Sequence, residues 1–215
     1  QDLLSRTVKT VDRTVQKAAG AVGRVLQAPL DLAGFLLPKP TAKQRKPGAS
    51  PGIEQIEASR TPPAPDAVKI TCIEYGPDTI ASREVAADDL KSLFDSPMAG
   101  GAAVRWVNVD GLNPYVVRQF MEQYGFHTLA AEDVINVPQR PKMEPYGQTL
   151  FVVGRMIMLI EGRLHTEQTS FFLQGKLLVT FQETPGDVWN AVRDRLQSPA
   201  LKIRKAGADY LLYAL

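Results

Sequence analysis

Carboxylates are the side chains of this sequence whose types and spacing suggest chemistry. Glu132 and Asp133 are adjacent in a stretch of helical composition, Asp110 ends a predicted strand, and Glu144 follows a short basic segment. Hard divalent cations take oxygen ligands, and Mg²⁺ usually keeps several waters while it binds one or two carboxylates. A weak Mg²⁺ site therefore needs few residues, and Glu132 and Asp133 are its candidate ligands.

The same two carboxylates have a plainer interpretation, which their spacing alone favours. Arg140 and Lys142 follow Glu132 and Asp133 closely, and ion pairs with these cations would tie the short helix to the next strand. Exposed ion pairs of this kind are common and contribute little to stability. From the residues alone, both interpretations stay open.

Standard catalytic patterns are absent from the sequence, so we predict that the protein is not an enzyme. There is no Gly-x-Ser-x-Gly, no phosphate-binding loop with its lysine, no dinucleotide fingerprint and no His-Glu-x-x-His. Cys72 is the only cysteine, and His127 and His165 are the only histidines. These residues are too few for a structural zinc site, and a metal-dependent hydrolase would need a denser cluster of ligands.

The cysteine and one histidine are predicted to be structural. Cys72 lies in the apolar run 70–73, which indicates a buried thiol. The lack of any internal disulfide favours a reducing compartment. His127 directly precedes the predicted short helix, where a packing or capping role is expected.

Charge is distributed unevenly along the 215 residues. Residues 1–49 hold nine Lys/Arg and three Asp/Glu, a net charge of +6, so the remaining 166 residues carry −4. A net acidic body is a poor partner for nucleic acid, and we predict none. No stretch approaches the 18 or more apolar residues that a membrane helix requires, so the sequence as given is expected to be soluble.

We predict three regions along the chain. Residues 1–37 form a basic amphipathic arm, whose apolar residues recur at the spacing of one helical face. These residues are Leu4, Val8, Val11, Val15, Val22 and Leu26. The arm can lie on an anionic membrane surface, pack on a neighbouring subunit or remain poorly ordered. Residues 38–65 hold seven of the 16 prolines and are predicted to be a solvated linker, which leaves 66–215 as the folded domain.

Residues 66–215 have the pattern of a mixed α/β domain. Strands are predicted at 68–75, 78–85, 104–109, 148–160, 163–173 and 176–182. The first two of these are expected to pair antiparallel. Short turns that contain glycine join the last three strands, which indicates an antiparallel meander.

Helices are predicted between and after these strands. One covers residues 86–94, and another begins at Asn113 and ends at Gly125, followed by a short helix at about 128–136. Residues 184–187 resemble a capping box that opens a further helix. Its inward side chains are predicted to be Val188, Trp189, Val192 and Leu196. Residues 208–215 are apolar and helical with no stop signal, so we expect this helix to continue beyond Leu215.

Several ordered segments of residues 68–215 resemble the cytoplasmic domain of CorA-type magnesium channels. They are WVNVDG at 106–111, GFHTLAAEDV at 125–134, QRPK at 139–142 with Tyr146, EQ at 167–168, TFQE at 180–183, GDV at 186–188, VRDRL at 192–196 and ADYLLYAL at 208–215. The resemblance implies an α/β/α sandwich with a mixed sheet, which ends at the start of a long stalk helix. It also implies two membrane helices and a homopentamer at the cytoplasmic face of the inner membrane.

The resemblance further implies a regulatory metal site. In CorA-type channels, Mg²⁺ bound between neighbouring cytoplasmic domains holds the pore closed. The sensing aspartate of the family falls on Asp133, with Glu132 beside it, and the partner carboxylates lie on the stalk helix past Leu215. Asp209 is expected to flank the start of that helix.

Three functions are therefore compatible with the sequence. The first is a Mg²⁺-sensing domain of a channel for Mg²⁺ and Co²⁺. The second is the equivalent domain of a related Zn²⁺ transporter, because the Gly-Met-Asn pore signature of the family lies outside this sequence. The third is a soluble adaptor that docks on membranes or partners through its basic arm.

Overall fold

The structure is a computed structural model, and it describes residues 52–186 and 188–215. The predicted arm at 1–37 and the first part of the predicted linker lie outside the described residues. Asp187, the last residue of the predicted capping box, lies outside them as well.

One mixed sheet of seven strands organises the described residues, in the order β2-β1-β3-β7-β6-β5-β4. The strands are β1 (Lys69–Tyr75), β2 (Ile80–Val85), β3 (Val104–Asp110), β4 (Lys142–Tyr146), β5 (Thr149–Ile160), β6 (Arg163–Gln174) and β7 (Leu177–Gln182). β3 and β7 pair in parallel, and the other neighbours pair antiparallel. β5, β6 and β7 form the predicted antiparallel meander.

Helices cover both faces of this sheet. They are α1 (Gly52–Ala58), α2 (Leu90–Asp95), α3 (Pro114–Tyr124), α4 (Thr128–Ile135), α5 (Asn190–Gln197), α6 (Lys202–Lys205) and α7 (Ala208–Ala214). α1 to α4 share one buried cluster with Val107 and Val109, whereas α5 to α7 share the other with Val104 and Trp106. Successive side chains of β3 point to opposite faces, and all seven of its residues are buried. The predicted α/β/α sandwich is confirmed.

The local signals at turns and helix ends predicted the boundaries well. The Asn113 side chain accepts hydrogen bonds from the backbone N–H groups of Tyr115 and Val116, which caps α3. Gly125 ends α3 in the left-handed conformation, with φ of 67°. Glu161 and Gly162 both have positive φ in the turn between β5 and β6, which matches the twist of an antiparallel hairpin.

α1 and β4 are among the elements that differ from the sequence prediction. α1 lies inside the segment 38–65 that composition assigned to a solvated linker, and its Ile56 is completely buried. The linker interpretation is therefore wrong for 52–58, because one well-placed apolar side chain can be buried against the helices of the domain. β4 was not predicted, and its Pro145 is tolerated because β4 is an edge strand.

The predicted helix after β7 begins later than expected. α5 starts at Asn190, and no side chain caps it. Trp189, Val192 and Leu196 are buried as predicted, whereas Val188 is 45% exposed. The prediction for Val188 is therefore wrong.

Two further predictions concern Cys72 and the end of the chain. Cys72 is buried, as predicted, and burial raises the pKa of its thiol. Asp209 lies in the first turn of α7, as expected. The continuation of α7 into a long stalk helix stays a prediction. Across the described ranges, no helix has the length and apolar character needed to cross a membrane.

Candidate metal site

His127 and Tyr146 define where α4 begins. The Nδ1 atom of His127 accepts a hydrogen bond from the Leu129 backbone N–H at 3.2 Å, which caps the helix. Its ring stacks on Tyr146, with 4.3 Å between the ring centroids. The predicted capping and packing role of His127 is confirmed, and the start of α4 is thereby attached to the end of β4.

One side of α4 is buried and the other carries the candidate ligands. Ala130, Ala131 and Val134 belong to the buried cluster on this face of the sheet. Glu132 and Asp133 stand between these positions and are partly exposed. Because of the helical period, both carboxylates lie at the surface, while the buried side of α4 packs against the rest of the domain.

Asp133 is paired with a cation on the neighbouring strand. Its Oδ2 atom lies 2.7 Å from Nζ of Lys142, which also lies 2.8 Å from Oε2 of Glu144. Tyr146 donates its hydroxyl proton to the same Glu144 oxygen at 2.9 Å. The side chains of Asp133 and Lys142 are 19% and 28% exposed. One ammonium group thus bridges two carboxylates, one from α4 and one from β4.

The electrostatics of this cluster favour charged side chains. Burial acts against the charge on Lys142, but the hydrogen bonds to Asp133 and Glu144 are stronger in sum and raise the pKa of Lys142. The hydrogen bonds from Lys142 and Tyr146 lower the pKa of Glu144. These hydrogen bonds therefore stabilise the charged forms of Lys142 and Glu144.

Glu132 and Asp133 have different partners. Oε1 of Glu132 accepts a hydrogen bond from Nδ2 of Asn136 at 2.9 Å, one turn further along the chain. The plainer sequence interpretation, in which Lys142 ties the helix to the next strand, is therefore realised at Asp133. This pairing leaves the metal role of Glu132 and Asp133 a prediction, because a carboxylate has about four lone-pair positions and one ammonium uses few of them.

Gln168 supports the site and was not predicted to have a role. It is 2% exposed, and its Nε2 donates to the backbone oxygen of Asp133 at 3.0 Å and to Oγ of Ser170 at 3.1 Å. Its Oε1 accepts from the Gln139 backbone N–H at 2.6 Å. Gln168 thus fixes both the last turn of α4 and the segment that follows. The only signal in the sequence was its place in one of the family-like segments.

Asp110, another carboxylate that the sequence singled out, lies elsewhere. It shares the face of β3 that carries Trp106, whereas α4 covers the opposite face. Both of its carboxylate oxygens lie 3.1 Å from the backbone nitrogen of Gly186, which donates to them. Asp110 therefore holds the loop after β7, and the structure does not bring it to Asp133.

The donor set around Asp133 fits part of a Mg²⁺ site. Within residues 52–186 and 188–215, no group of three or more His, Cys, Asp or Glu side chains is arranged to hold a metal ion. Mg²⁺ needs only one or two carboxylates, since water supplies its remaining ligands. Asp133, which is partly exposed, can supply one of them.

Comparison with known proteins identifies the family. A family model described as "CorA-like Mg2+ transporter protein" matches residues 101–215, more than half of the chain. The Cobalt/magnesium transport protein CorA of Thermotoga maritima is 37% identical over 136 residues, which cover 62% of this chain. The Putative metal ion transporter YfjQ of Bacillus subtilis is 33% identical over 113 residues, which cover 51% of this chain.

The chain spans only part of the length of the curated relatives that it matches. It spans 38% of the Thermotoga protein and 34% of the Bacillus protein, about a third of each. Among solved structures, the soluble domain of CorA from Methanocaldococcus jannaschii has a TM-score of 0.44 and 12% identity, covering 68% of this chain and 53% of that one. The match of the family model over residues 101–215 shows that this chain belongs to the CorA-like Mg²⁺ transporter family.

Proposed function

We propose that this chain is the regulatory domain, on the cytoplasmic face of the membrane, of a CorA-type channel for Mg²⁺ and Co²⁺. Asp133 is its Mg²⁺-sensing carboxylate, and Glu132 adds negative charge beside it. The observation that carries the proposal is a carboxylate fixed on a packed helix, paired with a cation and still 19% exposed. It lies in the part of the chain that the family model matches. The names of the two curated relatives, which refer to cobalt, magnesium and metal ions, support this class of ion.

The proposed mechanism uses the position of Asp133 at a subunit boundary of a homopentamer. Mg²⁺, when bound, would supply positive charge between this carboxylate and one from a neighbouring subunit. Without that charge the two carboxylates repel each other. Because Gln168 and the buried side of α4 hold Asp133 to the domain, the repulsion moves the whole domain rather than a loose loop. Metal occupancy is thereby converted into subunit spacing.

Asp133→Ala is expected to weaken the response to Mg²⁺ strongly. In the full-length protein, Mg²⁺ should slow proteolysis of the wild type, and the variant should need at least about tenfold more Mg²⁺ for the same protection, as is usual when metal-site residues are lost. The measurement is the rate of limited proteolysis across a Mg²⁺ titration. Asp194→Ala, an exposed change on α5, is the matched control and should behave as the wild type. If Asp133→Ala is protected like the wild type, Asp133 is an ordinary ion-pair residue and the metal assignment is wrong.

Lys142→Met is expected to act in the opposite direction. It breaks the same ion pair as Asp133→Ala but leaves the carboxylate in place and removes a cation that competes with Mg²⁺. Since partly exposed pairs contribute up to about 1 kcal/mol, half-maximal protection should occur at a Mg²⁺ concentration lower by up to about fivefold. The same proteolysis titration measures it. A parallel loss of the response in both variants would mean that the ion pair, not metal binding, determines the resistance to protease.

The transported ion is tested separately, with full-length protein in an uptake assay. Excess Mg²⁺ should compete strongly with Co²⁺ uptake if the channel belongs to the Mg²⁺ branch. Weak competition by Mg²⁺ together with uptake of Zn²⁺ would instead support the Zn²⁺-transporting alternative. Either result leaves the fold and the position of Asp133 unchanged.

A further inference from the structure

The hairpin of β5 and β6 continues beyond the strands that flank it. Among the described residues, β5 pairs with β4 only as far as Val153, and β6 pairs with β7 only from Thr169 onward. Between these limits the two strands form a ribbon that pairs with itself up to the turn at Glu161 and Gly162. The register between the two strands therefore arranges the side chains of this ribbon, whether or not further chain packs beside them.

Soft metal donors are concentrated on one face of the ribbon. Met158 lies directly opposite His165, and two residues further from the turn Met156 lies directly opposite Glu167. Because side chains alternate along a strand, all four share one face. The other face carries cationic, aliphatic and neutral polar side chains, which are those of Arg155, Ile157, Leu159, Leu164, Thr166 and Gln168. Two thioethers and one imidazole are thus collected on the same side of the ribbon.

Strand geometry brings these three donors within reach of one ion. Directly opposite residues of an antiparallel pair have Cβ atoms about 4.5–5.5 Å apart, and diagonal neighbours are about 7–8 Å apart. Met158 and His165 are a direct pair, and Met156 is the diagonal neighbour of His165. Methionine is unbranched and has three rotatable bonds, so both sulfur atoms can be directed towards the imidazole. One metal ion can therefore bind Sγ of both methionines and a ring nitrogen of His165.

Such donors are scarce in the rest of the sequence. The chain has five methionines, two histidines and one cysteine, and residues 1–51 contain none of them. Two of the methionines and one of the histidines nevertheless fall within residues 156–165. The single thiol, that of Cys72, is buried and is therefore a poor competitor for an added metal ion. A soft ion that binds this chain has its densest set of ligands at the ribbon.

The donor types determine which ion fits. Mg²⁺ is a hard cation that takes oxygen ligands, so a site with two sulfur donors suits it poorly. Thioethers select Cu⁺, and imidazole is also a good ligand for copper. The lone cysteine favours a reducing compartment, and Cu⁺ is the state of copper that such a compartment maintains.

We propose that Met156, Met158 and His165 form a binding site for a soft monovalent cation, Cu⁺. The site lies on the face of the sheet that carries α5 to α7, because Val152, which has the same alternation along β5, packs into the buried cluster on that face. Asp133 belongs to α4, which covers the opposite face. The Cu⁺ site goes beyond the proposed Mg²⁺-sensing function and does not depend on it.

Competition with a chromophoric Cu⁺ chelator, in the absence of oxygen, tests the site in the 215-residue chain. The wild type should withdraw a single Cu⁺ from the chelator, and Met158→Leu and His165→Gln should each weaken this binding at least about tenfold. Leucine has nearly the volume of methionine, so Met158→Leu removes the sulfur without disturbing packing. Met143→Leu, which changes an exposed methionine on β4, is the matched control and should bind Cu⁺ as the wild type does.

Methionine methyl resonances identify the ligands by a second measurement. Ag⁺ serves as a probe that shares the preference of Cu⁺ for sulfur and does not change its oxidation state. In a chain with ¹³C-labelled methionine methyl groups, Ag⁺ should shift the resonances of Met156 and Met158. The resonances of Met98 and Met121 should not move, and substitution of each methionine by leucine assigns the signals.

Three results would overturn the proposed Cu⁺ site. The first is equal Cu⁺ affinity of the wild type, Met158→Leu and His165→Gln. The second is a loss of affinity in His165→Gln alone, because an imidazole then holds the ion without the thioethers. The third is a shift of all five methionine resonances with Ag⁺, which would mean unspecific binding to thioethers.

Discussion

Arg204→Met is expected to lower the free energy of unfolding by at least about 3 kcal/mol, because it removes four hydrogen bonds that a buried guanidinium donates to backbone carbonyl groups. Arg204 is 3% exposed, and its guanidinium donates to four backbone oxygens. Nε donates to Gly76 at 2.8 Å, Nη1 donates to Leu196 at 2.8 Å, and Nη2 donates to Thr79 at 2.9 Å and to Pro77 at 3.3 Å. This single side chain joins the turn between β1 and β2 to the end of α5.

Urea denaturation of the 215-residue chain measures this effect. Lys205→Met is the matched control, because its side chain is exposed and adjacent, and it should change the unfolding free energy by less than about 0.5 kcal/mol. Arg204→Lys should fall in between, since an ammonium keeps the charge but cannot reach four acceptors in the fork geometry of arginine. Equal effects of Arg204→Met and Lys205→Met would contradict the structural role given to Arg204.

Glu74→Ala is expected to have a comparably large effect, about 3–5 kcal/mol, because it leaves a charged guanidinium unpaired in the interior. Oε1 of Glu74 lies 2.5 Å from Nε of Arg105, and both side chains are 10% exposed. Oε2 of Glu74 accepts from the Ala99 backbone N–H at 3.0 Å, and Nη2 of Arg105 donates to the Ser96 backbone oxygen at 2.9 Å. The pair therefore also holds the loop between α2 and β3.

Replacing both charged residues tests whether the loss of stability in Glu74→Ala comes from the unpaired charge of Arg105. The double variant Glu74→Leu/Arg105→Leu should be clearly more stable than Glu74→Ala, since no buried charge remains without its partner. Urea denaturation of Glu74→Leu, Arg105→Leu and the double variant completes a double-mutant cycle, which gives the interaction energy. If the two single changes add without interaction, Glu74 and Arg105 act independently and the expected coupling is absent.

Signals within a few residues of each other predicted much of the fold. The cap at Asn113, the glycine at 125 and the short turns of the meander act through local backbone geometry, so the sequence carries them directly. The burial of Ile56 depends instead on helices that follow it by more than 50 residues. A proline-rich composition gives no hint of such a contact, and the linker prediction was therefore wrong at this helix.

At the candidate site too, local features were predicted from the sequence and contacts between distant residues were not. The position of Asp133 on α4 followed from sequence, and the pairing with Lys142 was one of two interpretations that the spacing allowed. The role of Gln168 was not predictable from pattern, because it depends on a contact between residues 35 positions apart. The sensing role of Asp133 rests on family resemblance and is a proposal.

The parallel pairing of β3 with β7 has a consequence for how the chain reaches its native state. β1, β2 and β3 come from one continuous part of the sequence, and β4 to β7 come from a later part. Each half can pair largely with near neighbours, whereas Trp106 and Thr180, hydrogen-bonded at 3.1 Å, are 74 residues apart. Closure of such a distant contact is entropically slow. During synthesis on the ribosome, the inner edge of β3 therefore stays open until β7 has emerged, and this interval is when the growing chain is most exposed to mispairing.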